Sequence, residues 1–326
     1  MADRLKDENT FREGDDARLA KILAADDMDE DEINELLHQC GIHIDDVRWN
    51  QSRNPPEICG FPTELADRVD DLLQLPNNTW SLIHRVGEDD PDGVRRIFDR
   101  LMATVQEDDP EAARSAAFAI HIFIPGDSAA FTEFVSELQP ALAHSNEEVR
   151  DFTCQAVAGV AEEDPQAVLP VYEEVVRRLE DSSSGVRGGA VWTLRHLVEV
   201  RPELVWEQLE TVADLVDDEY SWTRDGAAWT LVGLGEIDPG RVSPCVPQVI
   251  EVLEGYVFRG EEYTFSNLGP DEVLFEGPME FVRVVGQVDS EVVADAVPVL
   301  EEVASEESYD RGIRSLAGEV LIDIKE

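Results

Sequence analysis

The sequence is poor in lysine, in clustered cysteine and in long apolar runs. Lysine occurs three times (Lys6, Lys21 and Lys325), and the other 23 basic residues are arginine. The four cysteines (Cys40, Cys59, Cys154, Cys245) are scattered and form no CxxC pair, which argues against a disulfide framework. No apolar segment approaches the length of a membrane span, and the first residues lack the apolar core of a secretory signal. We therefore expect a cytoplasmic protein.

Acidic residues are abundant along the whole chain. Asp and Glu number 72 and the formal net charge is −46. Acid excess with scarce lysine resembles proteins of extreme halophiles such as haloarchaea. In molar salt the Debye length falls to about 3 Å, so the self-repulsion is screened, and surface carboxylates hold water and cations such as K⁺. A mesophilic acidic protein that binds cations or basic partners is the alternative.

A repeat of 37 residues organises the chain. Pro165, Pro202 and Pro239 are each 37 residues apart, and Pro91 lies two periods before the first of them. Arginines recur in step with them, at Arg114, Arg150, Arg187 and Arg224. A fixed period between 20 and 50 residues is typical of stacked-repeat architectures.

Apolar residues recur at helical spacing inside each repeat. Val186, Ala190, Leu194 and Leu197 share one helix face, as do the matching residues of the other copies: Ala113, Ala117, His121, Ile124; Val149, Thr153, Val157, Val160; Thr223, Ala227, Leu231, Leu234; Ile313, Ala317, Leu321, Ile324. A second amphipathic segment precedes such a face, with Val168, Val171, Tyr172, Val175 and Leu179 in one copy and Val246, Val249, Ile250 and Leu253 in another. Each unit is predicted to be two antiparallel helices that bury their faces against neighbouring units.

An aspartate precedes the arginine by six residues in three copies, at Asp108, Asp181 and Asp218. An arginine in the first turn of a helix opposes the helix dipole, and these aspartates are expected to supply the carboxylate that it needs. His144 and Ser308 replace the aspartate in two other copies, where an Asp/Arg ladder is not expected. The pattern resembles the HEAT repeat, including the variant of phycobilin lyases, over about residues 62–326. The resemblance implies an all-α fold, a right-handed α-α superhelix also described as armadillo-like.

Seven units are predicted, with second helices near 76–88, 110–124, 146–162, 184–200, 221–237, 273–288 and 309–324. The sixth contains about 14 extra residues, which predicts an insertion at about 255–272. Residues 1–60 do not fit the repeat and are predicted to be an N-terminal helical cap, with helices at about 15–25 and 29–40 and a loop from Trp49 to Pro62. The repeat array then covers 61–326.

Two tryptophans stand at one repeat position, Trp192 and Trp229, about opposite the core face. In HEAT arrays the second helix lines the concave side, so the pair is expected to line a partner-binding groove, flanked by Arg195 and Val232 and, in the sixth unit, by Arg283. Tryptophan and arginine are common interface anchors. The alternative is that each indole packs flat between adjacent helices.

The insertion carries four aromatic residues, Tyr256, Phe258, Tyr263 and Phe265. Loops inserted in a solenoid commonly bind partners, so these residues are predicted to form a second contact. The alternative is a β-hairpin that packs one aromatic face against the array.

Other functions find less support. His38, Cys40, His43 and Cys59 are of metal-ligand type, but their spacing matches no common zinc module. None of the six histidines is followed by glutamate, as the di-iron site of HEAT-array hydroxylases would require, and no cofactor motif is present. The net charge opposes phosphate binding, although arginine clusters exist at Arg95, Arg96, Arg100 and Arg114 and at Arg177 and Arg178. We expect a non-enzymatic scaffold that binds another protein, with a lyase-like enzyme and a nucleic-acid-binding array as alternatives.

Overall fold

The computed structural model describes residues 48–50, 57–60, 91–123, 134–258, 272–309 and 311–325. The chain divides into two compact units, one comprising residues 1–134 and 143–156 and the other residues 135–142 and 157–326. Fourteen helices are described: α1 (Pro91–Val105), α2 (Pro110–Phe123), α3 (Gln139–Leu142), α4 (Glu147–Glu163), α5 (Tyr172–Arg178), α6 (Ser184–Leu197), α7 (Pro202–Trp206), α8 (Leu209–Asp214), α9 (Ser221–Ile237), α10 (Pro239–Val242), α11 (Val246–Phe258), α12 (Glu272–Gly286), α13 (Val297–Ser305) and α14 (Arg311–Lys325).

In the first unit, α1 and α2 pack together around fully buried side chains, among them Phe98, Leu101 and Ile120. Phe98 stacks on Phe134 with 5.0 Å between ring centroids. Phe118 of α2 meets the ring of Phe152 edge-on at 5.1 Å. Aromatic packing thus holds the small core of this unit.

The second unit contains two layers of helices. Helices α6, α9, α12 and α14 pack side by side in chain order and are called here the second-helix layer. Helices α5, α8, α11 and α13 each pack behind the member of that layer that follows them in sequence. The predicted core positions lie between the layers: Val186, Ala190, Leu194, Ala227, Leu231, Ile313 and Ala317 are all 2% exposed or less. The helical periodicity of the sequence therefore identifies the core face correctly.

The second helices begin where the sequence predicts them. Of the seven predicted, all but 76–88 lie in the described residues, and each observed start is within two residues of the expected one. The repeated prolines have a role that the sequence did not indicate. Pro91, Pro202 and Pro239 are the first residues of α1, α7 and α10, and Pro165 begins the 3₁₀ helix Pro165–Val171. Proline lacks an amide proton and is tolerated at the first helical position, so these prolines start the next segment rather than merely ending the previous one.

The first helical segment of each repeat is broken rather than continuous. The predicted helix over Val168–Leu179 is a 3₁₀ helix, Pro165–Val171, that contains Pro170 and is followed by α5. Further 3₁₀ helices occur in the first segments of later repeats: Leu215–Asp217 follows α8, and Ser243–Cys245 and Ala294–Ala296 precede α11 and α13. All five residues predicted for the apolar face of the Val168–Leu179 segment are nevertheless buried. The change from 3₁₀ to α-helix bends the segment but leaves these side chains on the side that faces the core.

Two short strands lie in the segment predicted as a loop. β1 (Arg48–Asn50) pairs antiparallel with β2 (Glu57–Gly60) in a two-stranded sheet. Strands of three and four residues are too short to show a reliable alternation in sequence. The predicted helices at 15–25 and 29–40 lie outside the described residues. No helix in the described ranges is both long enough and apolar enough to cross a membrane.

Candidate functional site

In α4, α6 and α9, the arginine at the start of the helix bonds to the turn that precedes it. Arg187 Nη1 donates to the carbonyl of Asp181 at 2.8 Å, and Arg224 Nη1 donates to the carbonyl of Asp218 at 2.5 Å. Arg150 makes the same contact, 2.9 Å to the carbonyl of His144. The residue six positions before the arginine therefore offers a backbone oxygen, so its side chain need not be acidic.

The side chain at that position caps the turn. The Oδ1 atoms of Asp181 and Asp218 accept the backbone N–H two residues on, from Ser183 at 3.1 Å and Tyr220 at 2.9 Å. His144 Nδ1 accepts the equivalent N–H of Asn146 at 3.1 Å. Histidine thus replaces aspartate without loss of the turn, which explains a departure from the repeat pattern that the sequence left unexplained.

The carboxylate that meets the arginine comes from the following repeat. Arg187 Nε donates to Asp218 Oδ2 at 2.6 Å, and the two side chains are only 16% and 4% exposed. In the first unit, Arg114 Nε donates to Glu148 at 2.6 Å. The hydrogen bond to Asp218 raises the pKa of Arg187. The expectation that each aspartate pairs with its own arginine is wrong for Asp218: its carboxylate links two neighbouring repeats.

Trp192 is half-buried between α6 and α9. Its Nε1 donates to the carbonyl of Trp222 at 3.0 Å, and the two indole rings stack with 6.2 Å between centroids. A Cβ atom on Gly226 would lie 2.9 Å from Cδ1 and Nε1 of Trp192. The indole therefore packs on the glycine of the next second helix.

Trp229 makes the same contact one repeat later. A Cβ atom on Gly277 of α12 would lie 3.5 Å from its Cδ1 and Nε1. Asp225 lies one turn earlier on α9 and is 8% exposed. Both predicted groove residues are half-buried, and each packs on a glycine of the next second helix. The ring that stacks on Trp192 is that of Trp222.

The predicted flanking residues differ in exposure. Arg195 is half-buried and lies 3.6 Å from Glu199, and Arg283 bonds to Glu280 and lies 3.7 Å from Asp323.

Val232 is only 3% exposed. The next residue, Gly233, approaches α6 so closely that a Cβ atom on it would lie 3.1 Å from Val198 Cγ1. The expectation that Val232 lines an open groove is therefore wrong, because α6 and α9 are too close there.

We call Trp192, Arg195, Trp229, Glu276 and Arg283 the tryptophan face. Glu276 is exposed and precedes Gly277, the residue on which Trp229 packs. His196 lies beside Trp192 at 6.3 Å between ring centroids, and burial is the main cause that lowers its pKa. The face thus combines two anchored indoles with charged side chains at its edge.

The aromatic insertion begins later than predicted. Gly255 to Phe258 form the last turn of α11, and Tyr256 is half-buried with the Arg224 guanidinium 5.6 Å from its ring centroid. A strand through Tyr256 and Phe258, as in the hairpin alternative, is therefore wrong. Tyr263 and Phe265 lie outside the described residues.

The candidate metal ligands are outside the described residues except Cys59, which lies on β2. Within the described ranges, no group of three or more His, Cys, Asp or Glu residues is placed to hold a metal ion. The predicted arginine clusters are paired with acids: Arg95 with Asp99, Arg100 with Glu107, Arg177 with Glu174, and Arg178 with Glu174 and Asp181. These contacts occupy the guanidinium groups that a phosphate backbone would need.

Sequence reasoning missed Trp222, Asp225 and the two glycines that receive the indoles. One signal could have found the glycines. Gly226 follows Trp192 by 34 residues, and Gly277 follows Trp229 by 48, a difference equal to the 14-residue insertion. The same pair thus recurs once the insertion is allowed for.

Comparisons with known proteins identify the fold. No family model and no curated protein matches the chain. A solved engineered protein matches with a TM-score of 0.56 and 18% identity over 70% of this chain and 98% of the other. A computationally designed armadillo repeat protein for modular peptide recognition matches with a TM-score of 0.53, 16% identity, and coverage of 69% and 99%. The archaeal HEAT-like repeats protein from Thermococcus onnurineus NA1 matches with a TM-score of 0.53, 15% identity, and coverage of 80% and 97%. The predicted all-α, HEAT-like solenoid fold is confirmed.

Proposed function

We propose that this chain is a non-enzymatic scaffold that binds a partner protein on the tryptophan face. The observation that carries the proposal is the repetition of one anchored indole. Trp192 and Trp229 each pack on the glycine of the next second helix, and the Trp192 N–H also donates to the Trp222 carbonyl. A rigid, half-exposed aromatic loses little conformational entropy when a partner covers it, which makes it a good anchor.

The fold supports the same function. A designed armadillo repeat protein of similar fold is described as made for modular peptide recognition. A stack of parallel second helices offers a partner segment the same kind of side chain at regular intervals. On this basis an extended or helical segment of the partner lies across α6, α9 and α12 and contacts both indoles.

We further propose that the protein works in the cytoplasm of a halophile, such as a halophilic archaeon. The acidic excess and the scarcity of lysine support this origin. In molar KCl, exposed charges interact over only about 3 Å, so long-range attraction is weak and burial of apolar and aromatic surface carries the affinity. The partner is therefore expected to meet the tryptophan face with apolar side chains.

Tyr263 and Phe265 are proposed to supply a second contact from the insertion between α11 and α12. Replacing residues 259–270 with a four-residue Gly/Ser linker gives α11 and α12 a five-residue connection, the length that joins α5 to α6. This change is expected to weaken partner binding while the helical circular dichroism signal is retained. Tyr256 is proposed to belong to the same contact; it is half-buried, with the Arg224 guanidinium 5.6 Å from its ring centroid.

The test is affinity capture from a lysate of the source organism across a salt series. Capture is expected to persist or to increase from about 1 M to about 3 M KCl, because apolar association is not screened. A partner that is released as KCl rises through this range would contradict the proposal and favour an electrostatic partner or nucleic acid. Nuclease treatment of the lysate separates those two outcomes.

A further inference from the structure

Asp225 is a carboxylate with incomplete hydrogen bonding at the centre of the second unit. It lies on α9 and is 8% exposed. Its Oδ1 is buried and has no hydrogen-bond partner among the described residues. Trp229 lies four residues further along the same helix, on the same face as Asp225. A buried acceptor without a partner is costly, so natural proteins rarely retain one without a reason.

A second carboxylate, that of Glu276, adds negative charge near Asp225. Glu276 of α12 precedes Gly277, which contacts the edge of the Trp229 indole, and its negative charge acts on Asp225. Burial first, and the charge of Glu276 second, raise the pKa of Asp225 to about 7. The charge of Glu276 thus opposes the ionisation of the buried Asp225 carboxyl group.

The basic residue on the same face is already engaged. Arg283, two turns further along α12, is bonded to Glu280 and lies close to Asp323. Its guanidinium therefore belongs to a separate group of carboxylates. The pair Asp225 and Glu276 has the charge and the aromatic neighbour that suit a cation from outside the chain.

We propose that the guanidinium of a partner arginine binds at Glu276 and Trp229 and compensates the buried carboxyl of Asp225. This inference rests on the proposed function, since it names the chemistry of the partner that docks on the tryptophan face. A guanidinium is planar, stacks on an indole face and bonds a carboxylate through two N–H groups at once. Glu276 is exposed and its charge is screened in molar KCl, so stacking of the guanidinium on the indole carries most of the contact there.

The test uses a small probe in place of the partner. The full-length protein is titrated with N-acetylarginine amide, and separately with N-acetylcitrulline amide, which has nearly the same shape but no charge. The indole ¹H–¹⁵N cross-peak of Trp229, assigned with Trp229→Phe, reports binding. We expect a saturable shift with the arginine probe and a dissociation constant roughly tenfold weaker with citrulline.

Two variants make the result specific. Glu276→Gln is nearly isosteric at an exposed position and is expected to weaken arginine binding roughly fivefold. Glu302→Gln, an equal change of charge at an exposed position on α13, is expected to leave it unchanged. Equal shifts with both probes, or unaltered binding by Glu276→Gln, overturn the inference. If the arginine probe does not bind but partner capture still depends on Trp192 and Trp229, this inference fails and the proposed function stands.

Discussion

The five-membered ring of Trp192 lies so close to Gly226 that a Cβ atom on the glycine would fall 2.9 Å from Cδ1 and Nε1. The indole is therefore fitted to a surface without side-chain atoms. Trp229 and Gly277 repeat the arrangement in the next repeat. One edge of each indole thus packs between two helices. The rest of the ring is partly exposed and is the surface on which we propose that a partner docks.

Gly226→Ala is expected to destabilise the protein. The added methyl group overlaps the Trp192 ring, and displacing that ring breaks its bond to the Trp222 carbonyl, at a cost of about 1–3 kcal/mol. Gly318→Ala on α14 is the matched control, since a Cβ atom there meets nothing within 4 Å. The control should gain roughly 0.5–1 kcal/mol from better helix propensity. Urea unfolding of both variants checks this, and equal midpoints would show that the glycine contact is unimportant.

Asp218→Ala is expected to weaken the junction between two repeats. The carboxylate accepts from Arg187 at 2.6 Å and from the Tyr220 N–H at 2.9 Å, and it is 4% exposed. Removing it leaves the half-buried guanidinium with only the exposed Glu219 as its acid, at 3.4 Å, and leaves the Tyr220 N–H without its acceptor, which costs about 2–4 kcal/mol. The neighbouring Glu219, 75% exposed, serves as the control.

Glu219→Ala should change the free energy of unfolding by no more than about 0.5 kcal/mol, because exposed ion pairs contribute little. The measurement is chemical unfolding at constant KCl. An Asp218→Ala variant as stable as Glu219→Ala would contradict a structural role for the link between repeats.

The raised pKa of Asp225 predicts that the stability of the protein depends on pH. Its pKa is raised from 3.8 to about 7 in the folded protein, mainly by burial. Between these values the folded state binds more protons than the unfolded state, so stability falls as the pH rises from about 4 to about 7. The loss amounts to roughly 4 kcal/mol at most.

Asp225→Asn removes this dependence because the amide has nearly the same shape as the carboxyl group but cannot ionise. The variant and the wild type should be similarly stable near pH 4. The variant should become the more stable of the two as the pH approaches about 8. Urea unfolding at a series of pH values gives the difference directly, and a difference that does not change with pH would mean that the Asp225 pKa is not raised.

The proposed halophilic adaptation predicts stability that depends strongly on salt. With a net charge of −46, the folded chain repels itself at low ionic strength, and salt relieves that repulsion. The melting temperature should rise steeply between about 0.1 M and about 3 M KCl. Differential scanning calorimetry checks this, and a melting temperature that is flat or falling over that range would count against a halophilic origin.

The 37-residue period predicted the second helices closely, because helical periodicity and proline spacing are local properties of the chain. The insertion length was also recoverable, since it shifts the Gly277 contact by the same 14 residues. The exposure of individual side chains could not be predicted, because it depends on the distance between helices. Val232 has the same repeat position as Arg195 and Arg283, yet it is buried because α6 and α9 meet closely at Gly233.

The ion pair between neighbouring repeats could not be predicted either, because it also depends on how the helices are placed relative to one another. Six residues separate Asp218 from Arg224, which favoured an ion pair within one repeat, but the carboxylate meets Arg187 of the previous repeat. Likewise the sequence placed two equivalent tryptophans together, whereas Trp192 stacks on Trp222. A repeat fixes which residues are equivalent, while the offset between adjacent units decides which of them touch.

The affinity of the purified partner for three proteins tests the central claim most directly. Titration calorimetry at about 2 M KCl would compare the wild type with Trp192→Ala/Trp229→Ala and with Trp206→Ala. Trp206 is the matched control because it is also half-buried but lies on α7, where the Arg241 guanidinium covers its ring at 4.2 Å.

Each variant is first checked for a folded state by its melting temperature and helical signal. The account predicts that the double variant binds at least roughly 30-fold more weakly, as the loss of a hot spot does, and that Trp206→Ala binds like the wild type. A folded double variant with wild-type affinity would contradict it.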